Sequence, residues 1–399
     1  MELRAAAQQE QTKGIAAEPD DAAEVREQIA AVEKLMPSLP DRGAALYFLA
    51  VSKQHLHETR EALALLKDCV ALQEGFDPSG DPEFRGLKGE KDFDSLVERV
   101  HKDFPAVAHA HQALVTEEKD LIPEGLAYDE KQDVFYLSSL HRRKIVKITM
   151  ESRVSDFVPA GRDKLLPVLG IRIDPMDGTV WSATTNFAKD AWKTELIHID
   201  AQGNLLGRYA PKESEKHGFN DLVVRKNGEV YTTSTSTHLV FRWSPKSQNF
   251  DTIPVNRALL HPNGIALADD DHSLFVADDL GVVSIDLADG TSHDLIPGPR
   301  STLAGIDGLY WHNGSLVAVQ NGMGSPRVVA FRLSKDGTRV MQTIVLENRS
   351  AFTVLPTTGA IRGNDFYFIA NSQVDNLNGS RIMDVTRLER VRIAMVHLP

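Results

Sequence analysis

The second part of the chain repeats one short pattern six times, and the spacing of this repeat constrains the fold more than any other feature. In each instance a polar or small residue stands close to Gly, followed by an apolar run, a turn, and a second apolar run ending in small polar residues. The six corresponding positions are Glu124, Gly170, Asn220, Asn263, Asp307 and Thr358. The steps between them measure 46, 50, 43, 44 and 51 residues. A period in the forties is typical of repeated β-sheet units.

The apolar spacing after Pro105 has the period of two that is typical of strands. Turn pairs such as Asn227-Gly228 and Asn313-Gly314 separate the first two runs of a unit, and these residues tolerate the positive φ of a hairpin turn. Further apolar runs follow, such as 144–149 and 154–159, which gives four strands per unit. Six four-stranded units predict a mainly β fold, a six-bladed β-propeller over residues 105–399. We expect residues 111–117 to close the ring as the outer strand of the last blade, beside 391–398.

Residues 21–104 instead show the apolar spacing of helices. Helices are predicted over 22–35, 44–57 and 59–73, with Pro and Gly clusters between them. Small residues stand where the second and third helices would approach closely, as in a tetratricopeptide hairpin. The chain is therefore predicted to carry a small α-helical, tetratricopeptide-like domain, attached at the outer edge of the last blade. Residues 1–20 are predicted to form a flexible tail.

Charge and composition exclude several classes of partner. The formal net charge of −12 and the short basic runs argue against nucleic acid and against an anionic membrane surface. One cysteine, Cys69, allows neither an internal disulfide nor a cysteine-based zinc site. There is no apolar stretch of membrane-spanning length, and the start lacks the apolar segment of a secretory signal. As written, the chain is expected in the cytoplasm; a protein whose signal had been removed would be periplasmic or secreted.

Four of the six repeated positions carry side-chain oxygens suited to a cation: Glu124, Asn220, Asn263 and Asp307. In an up-and-down blade, the loop leading into the first strand and the loop trailing the second strand lie on one face, so these oxygens converge near the axis. Two carboxylates and two amides suit a hard divalent cation, which predicts Ca²⁺, with Mg²⁺ second and Mn²⁺ or Zn²⁺ as further alternatives. Asn-Gly and Asp-Gly are also ordinary turn pairs. The shared register and Glu124, which is no turn former, favour metal ligands.

The remaining loop positions are expected to shape a substrate pocket. In the second and sixth units the repeated pattern carries Leu169 (beside Gly170) and Thr358, which have neither a carboxylate nor an amide side chain. Asn186, Thr235 and Asn321 lie on the loops that follow the second strands of their units. The helical region contains no cluster of catalytic residue types, so it is expected to serve in packing or to bind a protein partner.

The repeat motifs resemble a known family over about 290 residues. The matching phrases are Ile122-Pro-Glu-Gly-Leu, Phe219-Asn-Asp-Leu-Val-Val, Pro262-Asn-Gly-Ile-Ala-Leu and Ile306-Asp-Gly-Leu. They resemble the family of senescence marker protein 30, gluconolactonases and luciferin-regenerating enzymes, calcium-dependent six-bladed propeller hydrolases. The resemblance implies that the four oxygen-bearing residues hold a catalytic cation and that the substrate is a lactone or related ester.

The resemblance also implies roles for individual side chains. Asp307 is both a ligand and the candidate general base or nucleophile, and Asp221 is a second carboxylate beside a ligand. Paraoxonase-like relatives carry a His where this chain has Leu169, and His141 on a neighbouring loop is the candidate to replace it. Two other functions stay open: a non-catalytic binding or scaffold propeller with a structural cation, and a metal-independent enzyme like strictosidine synthase.

Overall fold

The structure is a computed structural model that describes residues 19–187 and 192–399. It contains an N-terminal group of helices followed by six large β-sheets and one two-stranded sheet. The predicted tail, apart from its last two positions, lies outside the described residues. No helix within the described ranges combines the length and apolarity needed to cross a membrane.

Among its described residues, the N-terminal region contains four α-helices: α1 (Pro19–Leu35), α2 (Arg42–His55), α3 (Thr59–Ala71) and α4 (Lys91–Asp103). The first three agree with the predicted helices to within a few residues. Helix α2 begins after Asp41, whose side chain accepts a hydrogen bond from the Ala44 amide at 3.0 Å and so caps the helix. Helices α2 and α3 pack against each other around Ala44, Ala62 and Leu66. A helical hairpin is therefore present, and its likeness to tetratricopeptide repeats stays a prediction.

The sheets form the six predicted blades. Blade 1 contains β3 (Leu126–Asp129), β4 (Val134–Ser139), β5 (Lys144–Thr149) and β6 (Val154–Val158). Blade 2 contains β7 (Val168–Ile173), β8 (Val180–Asn186), β9 (Lys193–Ile199) and β10 (Leu205–Tyr209). Blade 3 contains β11 (Phe219–Val224), β12 (Val230–Ser234), β13 (Leu239–Trp243) and β14 (Phe250–Thr252). Blade 4 contains β15 (Ile265–Leu267), β16 (Ser273–Asp278), β17 (Gly281–Asp286) and β18 (Ser292–Asp294).

Blades 5 and 6 contain the strands that close the ring. Blade 5 contains β19 (Ile306–His312), β20 (Ser315–Gln320), β21 (Arg327–Leu333) and β22 (Val340–Asn348), with the short β1 (Val107–Ala108) outside β22. Blade 6 combines β23 (Gly359–Arg362), β24 (Asp365–Ile369) and β27 (Val391–His397) with β2 (His111–Thr116) as its outer strand. The first strand of each blade contacts that of the next, and β23 contacts β3. The six-bladed propeller and its predicted closure by residues from the N-terminal side are confirmed.

The glycines of the repeated pattern stand where neighbouring blades approach each other most closely. A Cβ atom on Gly125 would lie 2.2 Å from the Leu169 carbonyl oxygen of the next blade. A Cβ on Gly264 would lie 2.6 Å from the Asp307 carbonyl oxygen. Real Cβ atoms do not approach backbone this closely, so a larger residue at either position would push the blades apart.

The predicted attachment of the helical region at the outer edge of the last blade is wrong. The helices pack on the loops of blades 4 and 5: Leu260 and Leu280 join one helical core, and Ala304 and Met323 join another. The reason is that the linker runs as β1 along blade 5 before it enters blade 6, which leaves apolar helix faces beside the loops of blade 5.

Polar contacts fix this docked position. The Asp41 carboxylate accepts hydrogen bonds from Thr302 Oγ1 and the Leu303 amide, both at 2.8 Å. Asp77 pairs through its backbone with the segment around Gly324, and its carbonyl accepts from the Ser325 amide at 2.8 Å. The helical layer therefore holds two loops of blade 5 that bracket Asp307.

An insertion in blade 6 covers another part of the same face. Between β24 and β27, the short strands β25 (Leu377–Asn378) and β26 (Arg381–Ile382) form a two-stranded sheet. Val374, Leu377 and Leu388 of this insertion pack against buried Ile122 and Leu169. The mouth of the propeller is thus bounded by the insertion on one side and by the helical layer on another.

Candidate metal and substrate site

The four predicted ligands lie where the first strands of blades 1, 3, 4 and 5 begin. All four side chains are buried, with exposures from 2% for Asp307 to 8% for Asn263. Two of them touch directly, since Asn263 Nδ2 donates to Asp307 Oδ1 at 2.9 Å. The close approach of Gly264 to Asp307 brings these two blades together here.

Asp307 is held by amides on both carboxylate oxygens. Asn263 contacts Oδ1, and Asn321 Nδ2 donates to Oδ2 at 2.5 Å and to the Pro356 carbonyl at 2.9 Å. Burial raises the pKa of Asp307 to about 7, against the lowering effect of these two donors. The carboxylate is therefore fixed in orientation and costly to ionise without a neighbouring positive charge.

Glu124 is the second buried carboxylate. Ser372 Oγ donates to its Oε1 at 3.0 Å. Burial raises the pKa of Glu124 well above its ordinary range, and the negative charge of Asp307 adds to the increase. Within the described part of the chain, no lysine, arginine or histidine forms an ion pair with Glu124 or Asp307. Two acidic groups thus influence each other, and neither has an ion-pair partner among the described residues.

The amides complete the oxygen-rich site. Asn263 Oδ1 is buried and finds no hydrogen-bond donor among the described residues. Asn220 is oriented by Thr235, since its Nδ2 donates to Thr235 Oγ1 at 3.2 Å. A buried oxygen without a donor costs free energy unless it binds something else, and a cation is such a partner. The donor set therefore fits a hard divalent cation.

The described residues do not build a metal site from acidic, histidine and cysteine side chains alone. No group of three or more His, Cys, Asp or Glu side chains there is arranged to hold a metal ion. A cation at the mouth would depend on two carboxylates and neutral amide oxygens, which is a ligand set for Ca²⁺ or Mg²⁺ rather than for a thiophilic metal.

Three residues predicted to shape the substrate pocket form hydrogen bonds that support the site in the structure: Thr235, Asn321 and Thr358. Thr235 donates to the Pro262 carbonyl at 2.9 Å, and Thr358 donates to the Glu124 carbonyl at 2.6 Å, each joining one blade to the next. Asn321 orients Asp307 and also reaches the next blade. All three therefore support the predicted ligands, and direct contact with substrate stays a prediction.

The other two predicted pocket residues lie on the far side of the mouth. Leu169 is buried in an apolar cluster with Ile122 and Leu140, covered in part by Phe187 and the blade 6 insertion. Asn186 ends β8, just before the residues that the structure leaves undescribed. This sector is apolar, in contrast to the oxygen-rich sector at Asp307.

Asp221 faces a different partner from its neighbour Asn220. Its Oδ2 accepts from Arg172 Nη2 at 2.7 Å, and its Oδ1 accepts from the Leu222 amide at 2.8 Å. The Arg172 guanidinium lies 5.0 Å from the centre of the Tyr310 ring, which belongs to the opposite blade. Burial raises the pKa of Asp221 and Arg172 opposes the increase. This buried group joins blades 2, 3 and 5 across the middle of the propeller.

His141 lies at the edge of the mouth. Its Nδ1 is 3.1 Å from the Ser380 carbonyl oxygen in the blade 6 insertion. This contact places the ring beside the insertion, and its predicted catalytic role stays a prediction.

Sequence reasoning missed Ser372, Arg172 and Tyr310. Ser372 follows the second strand of blade 6, where the repeat ends in small polar residues, so the repeat itself contained a signal for it. Arg172 interrupts the apolar run Leu169-Gly-Ile-Arg-Ile, and a charge inside such a run indicates a buried partner. The partner itself, Asp221, is 49 residues away and no local pattern identifies it.

No protein-family model matches the chain, and no curated protein matches it in sequence. Among solved structures, a catalytically inactive virginiamycin B lyase from Staphylococcus aureus with quinupristin is 17% identical, with a TM-score of 0.50 over 73% of this chain and 99% of that one. A streptogramin B lyase is 13% identical, with a TM-score of 0.50 over 73% and 97% of the two chains. A gluconolactonase from Xanthomonas campestris is 17% identical, with a TM-score of 0.46 over 74% and 99%. The similarity to the two lyases shows a shared propeller fold.

Proposed function

We propose that the protein is a divalent-metal-dependent hydrolase, with Ca²⁺ as the expected ion, that acts on a lactone or related ester. One observation carries the proposal: Glu124 and Asp307, two buried carboxylates without a described basic partner, lie with the donor-free Asn263 oxygen at the mouth of the propeller. A bound cation would make this arrangement favourable and would polarise the carbonyl of an ester.

In such a reaction, different residues of the chain would bind the ion, accept a proton from the attacking water and exclude solvent. Glu124, Asn220, Asn263 and Asp307 would hold the ion. Asp307 is the candidate base for the attacking water, because Asn321 fixes the orientation of its carboxylate beside the proposed ion. Asp221 is a weaker candidate, because Arg172 already occupies one of its oxygens. The apolar cluster around Leu169 would exclude water from one side of the substrate.

The test is a panel of sugar lactones, aryl esters and phosphotriesters, assayed with calcium and with a chelator. We expect at least one lactone or ester to be hydrolysed, and chelation or Asp307→Asn to lower kcat/KM by about a hundredfold or more. Asp251→Asn is the matched control, because Asp251 is exposed on β14, the outer strand of blade 3, and pairs with Arg242 of β13.

Each alternative gives a distinct result in the same experiment. A scaffold protein would be stabilised by calcium without turning over any substrate. A metal-independent enzyme would keep its activity in the chelator, and that outcome would refute the proposal.

A further inference from the structure

One ion pair lies beside the candidate metal site without belonging to its predicted ligand set. Asp221 is 1% exposed, and its Oδ2 accepts a hydrogen bond from Arg172 Nη2 at 2.7 Å. The side chain of Arg172 is 15% exposed. Neither side chain forms another ion pair within the described ranges. Each charge of the pair is therefore compensated mainly by the other.

The pair occupies the sector where the repeat supplies no ligand. In the register that holds Glu124 in blade 1, blade 2 carries Gly170. A Cβ atom on Gly170 would lie 2.6 Å from Asp221 Oδ1, so the glycine leaves the space that the Asp221 carboxylate fills. Arg172 follows two residues later on β7. Blade 2 thus contributes a positive charge to the carboxylate of blade 3 in place of an oxygen ligand.

The charge of Asp221 acts on the predicted ligands. Burial raises the pKa of Asp307 to about 7, and the negative charge of Asp221 adds to that increase. Burial likewise raises the pKa of Glu124, with a further contribution from Asp307. Tyr310, whose ring centre lies 5.0 Å from the Arg172 guanidinium carbon, stays neutral because burial raises its pKa to about 12. Three carboxylates and one guanidinium therefore form one electrostatic group.

The net charge of this group depends on Arg172. With Glu124, Asp307, Asp221 and Arg172 all ionised, the formal charge is −2, and without Arg172 it would be −3. The Leu222 amide and Arg172 also occupy the two oxygens of Asp221, which holds this carboxylate apart from the ligands.

We propose that Arg172 is a positioning residue that sets the relative affinity of the metal site for divalent and trivalent ions. It cancels the charge of Asp221, so that the site attracts an ion with two negative charges and not three. Because the energy of a charge pair scales with the charge on the ion, a third negative charge would favour a trivalent ion more than a divalent one. The inference rests on the proposed metal-dependent function.

The test measures ion binding directly and does not depend on turnover. Isothermal titration of the full-length protein with Ca²⁺ and with Tb³⁺ gives the ratio of the Kd for Ca²⁺ to the Kd for Tb³⁺. We expect this ratio to rise about tenfold in Arg172→Met and to fall about tenfold in Asp221→Asn. In the double variant the charge is again −2, so the ratio should return to within about twofold of the wild type.

The pattern separates this role from a structural one. An ion pair that only joined the blades would lower stability in both single variants without moving the ratio in opposite directions. Arg172→Lys retains the charge and should keep the wild-type ratio, so this variant and Asp221→Asn decide the matter if Arg172→Met does not fold. Arg242→Met is the matched control, because Arg242 forms an exposed ion pair with Asp251 on blade 3.

The failure of this inference is distinguishable from the failure of the proposed function. Ion binding by the wild type with the same ratio in Asp221→Asn would overturn the role of Arg172 alone. Ion binding without hydrolysis of any ester would contradict only the proposed activity. A wild-type protein that bound neither ion would refute both.

Discussion

At the scale of single residues, the site is defined by the cost of burying two carboxylates together. Glu124 and Asp307 both have raised pKa values because they lie away from water, and each is held in place by neutral donors. Such an arrangement destabilises the protein when both groups are ionised without a cation. The same two residues would therefore make calcium binding and folding depend on each other.

This coupling predicts a pH dependence of stability. In the metal-free folded protein the pKa of Asp307 is about 7, above its value in an unfolded chain. A raised pKa stabilises the folded state at pH values below the pKa of the unfolded chain, and this stabilisation is lost as the pH rises through 7. We expect the chelated protein to lose thermal stability between pH 5 and pH 8, and Asp307→Asn to lose less.

Scanning calorimetry with chelator and with calcium measures this directly. Calcium should raise the thermal midpoint more at pH 8 than at pH 5, because the ion requires ionised carboxylates. Asp251→Asn should behave like the wild type. The same calcium shift at both pH values would show that these carboxylates do not bind the ion.

At the scale of elements, two features define the ring of blades. Glycines let neighbouring blades approach closely, and the last blade combines strands from both ends of the propeller sequence. Gly125 and Gly264 allow the first strands of adjacent blades to meet near the axis. The last blade depends on β2, which pairs with β27 although the two lie at opposite ends of the propeller sequence. Leu114 of β2 is 1% exposed and packs with Phe135 and Ile393 between blades 6 and 1.

Closure can be tested by shortening this one side chain. Leu114→Ala should lower the free energy of unfolding by about 2–5 kcal/mol, because it leaves a cavity in the core that joins the first and last blades. Leu206→Ala is the control, since Leu206 is 53% exposed on the outer strand of blade 2 and should cost less than about 0.5 kcal/mol. Denaturation in urea, monitored by tryptophan fluorescence, gives both values. Equal costs would show that the closing strand contributes little.

Much of this level of structure could be predicted from the sequence, because it depends on local periodicity. The repeat gave the blade number, and the strand pattern near 111 and 391 gave the closure. The roles of Thr235 and Thr358 could not be predicted in the same way. Their hydroxyls bond to the backbone of the next blade, and that contact depends on the angle between blades rather than on any local pattern.

At the scale of the whole molecule, the position of the helical layer decides what surrounds the site. The linker sequence indicated that the helices precede the ring, but it contained no signal for the face on which they dock. That choice depends on partners far apart in the chain, such as Asp41 with Thr302 and Leu303. The structure consequently places the helices over blades 4 and 5, where they hold the loop before Asp307.

Removing one docking contact should therefore affect the site. Asp41→Ala leaves the buried Leu303 amide without its acceptor, and we expect a loss of about 1–3 kcal/mol in stability. Hydrogen exchange of the Leu303 amide should become faster, and KM for a hydrolysed ester should rise. Asp68→Ala, an exposed change on α3, should alter none of these. Unchanged exchange at Leu303 in Asp41→Ala would contradict the proposed role of the helical layer.

The central claim, a divalent cation held at the mouth of the propeller, is tested most directly by anomalous diffraction from crystals soaked in Mn²⁺. We predict one strong peak within ligand distance of Glu124, Asn263 and Asp307, and its loss in crystals of Asp307→Asn. Well-diffracting crystals with no peak at these residues, or with a peak that survives Asp307→Asn unchanged, would contradict it.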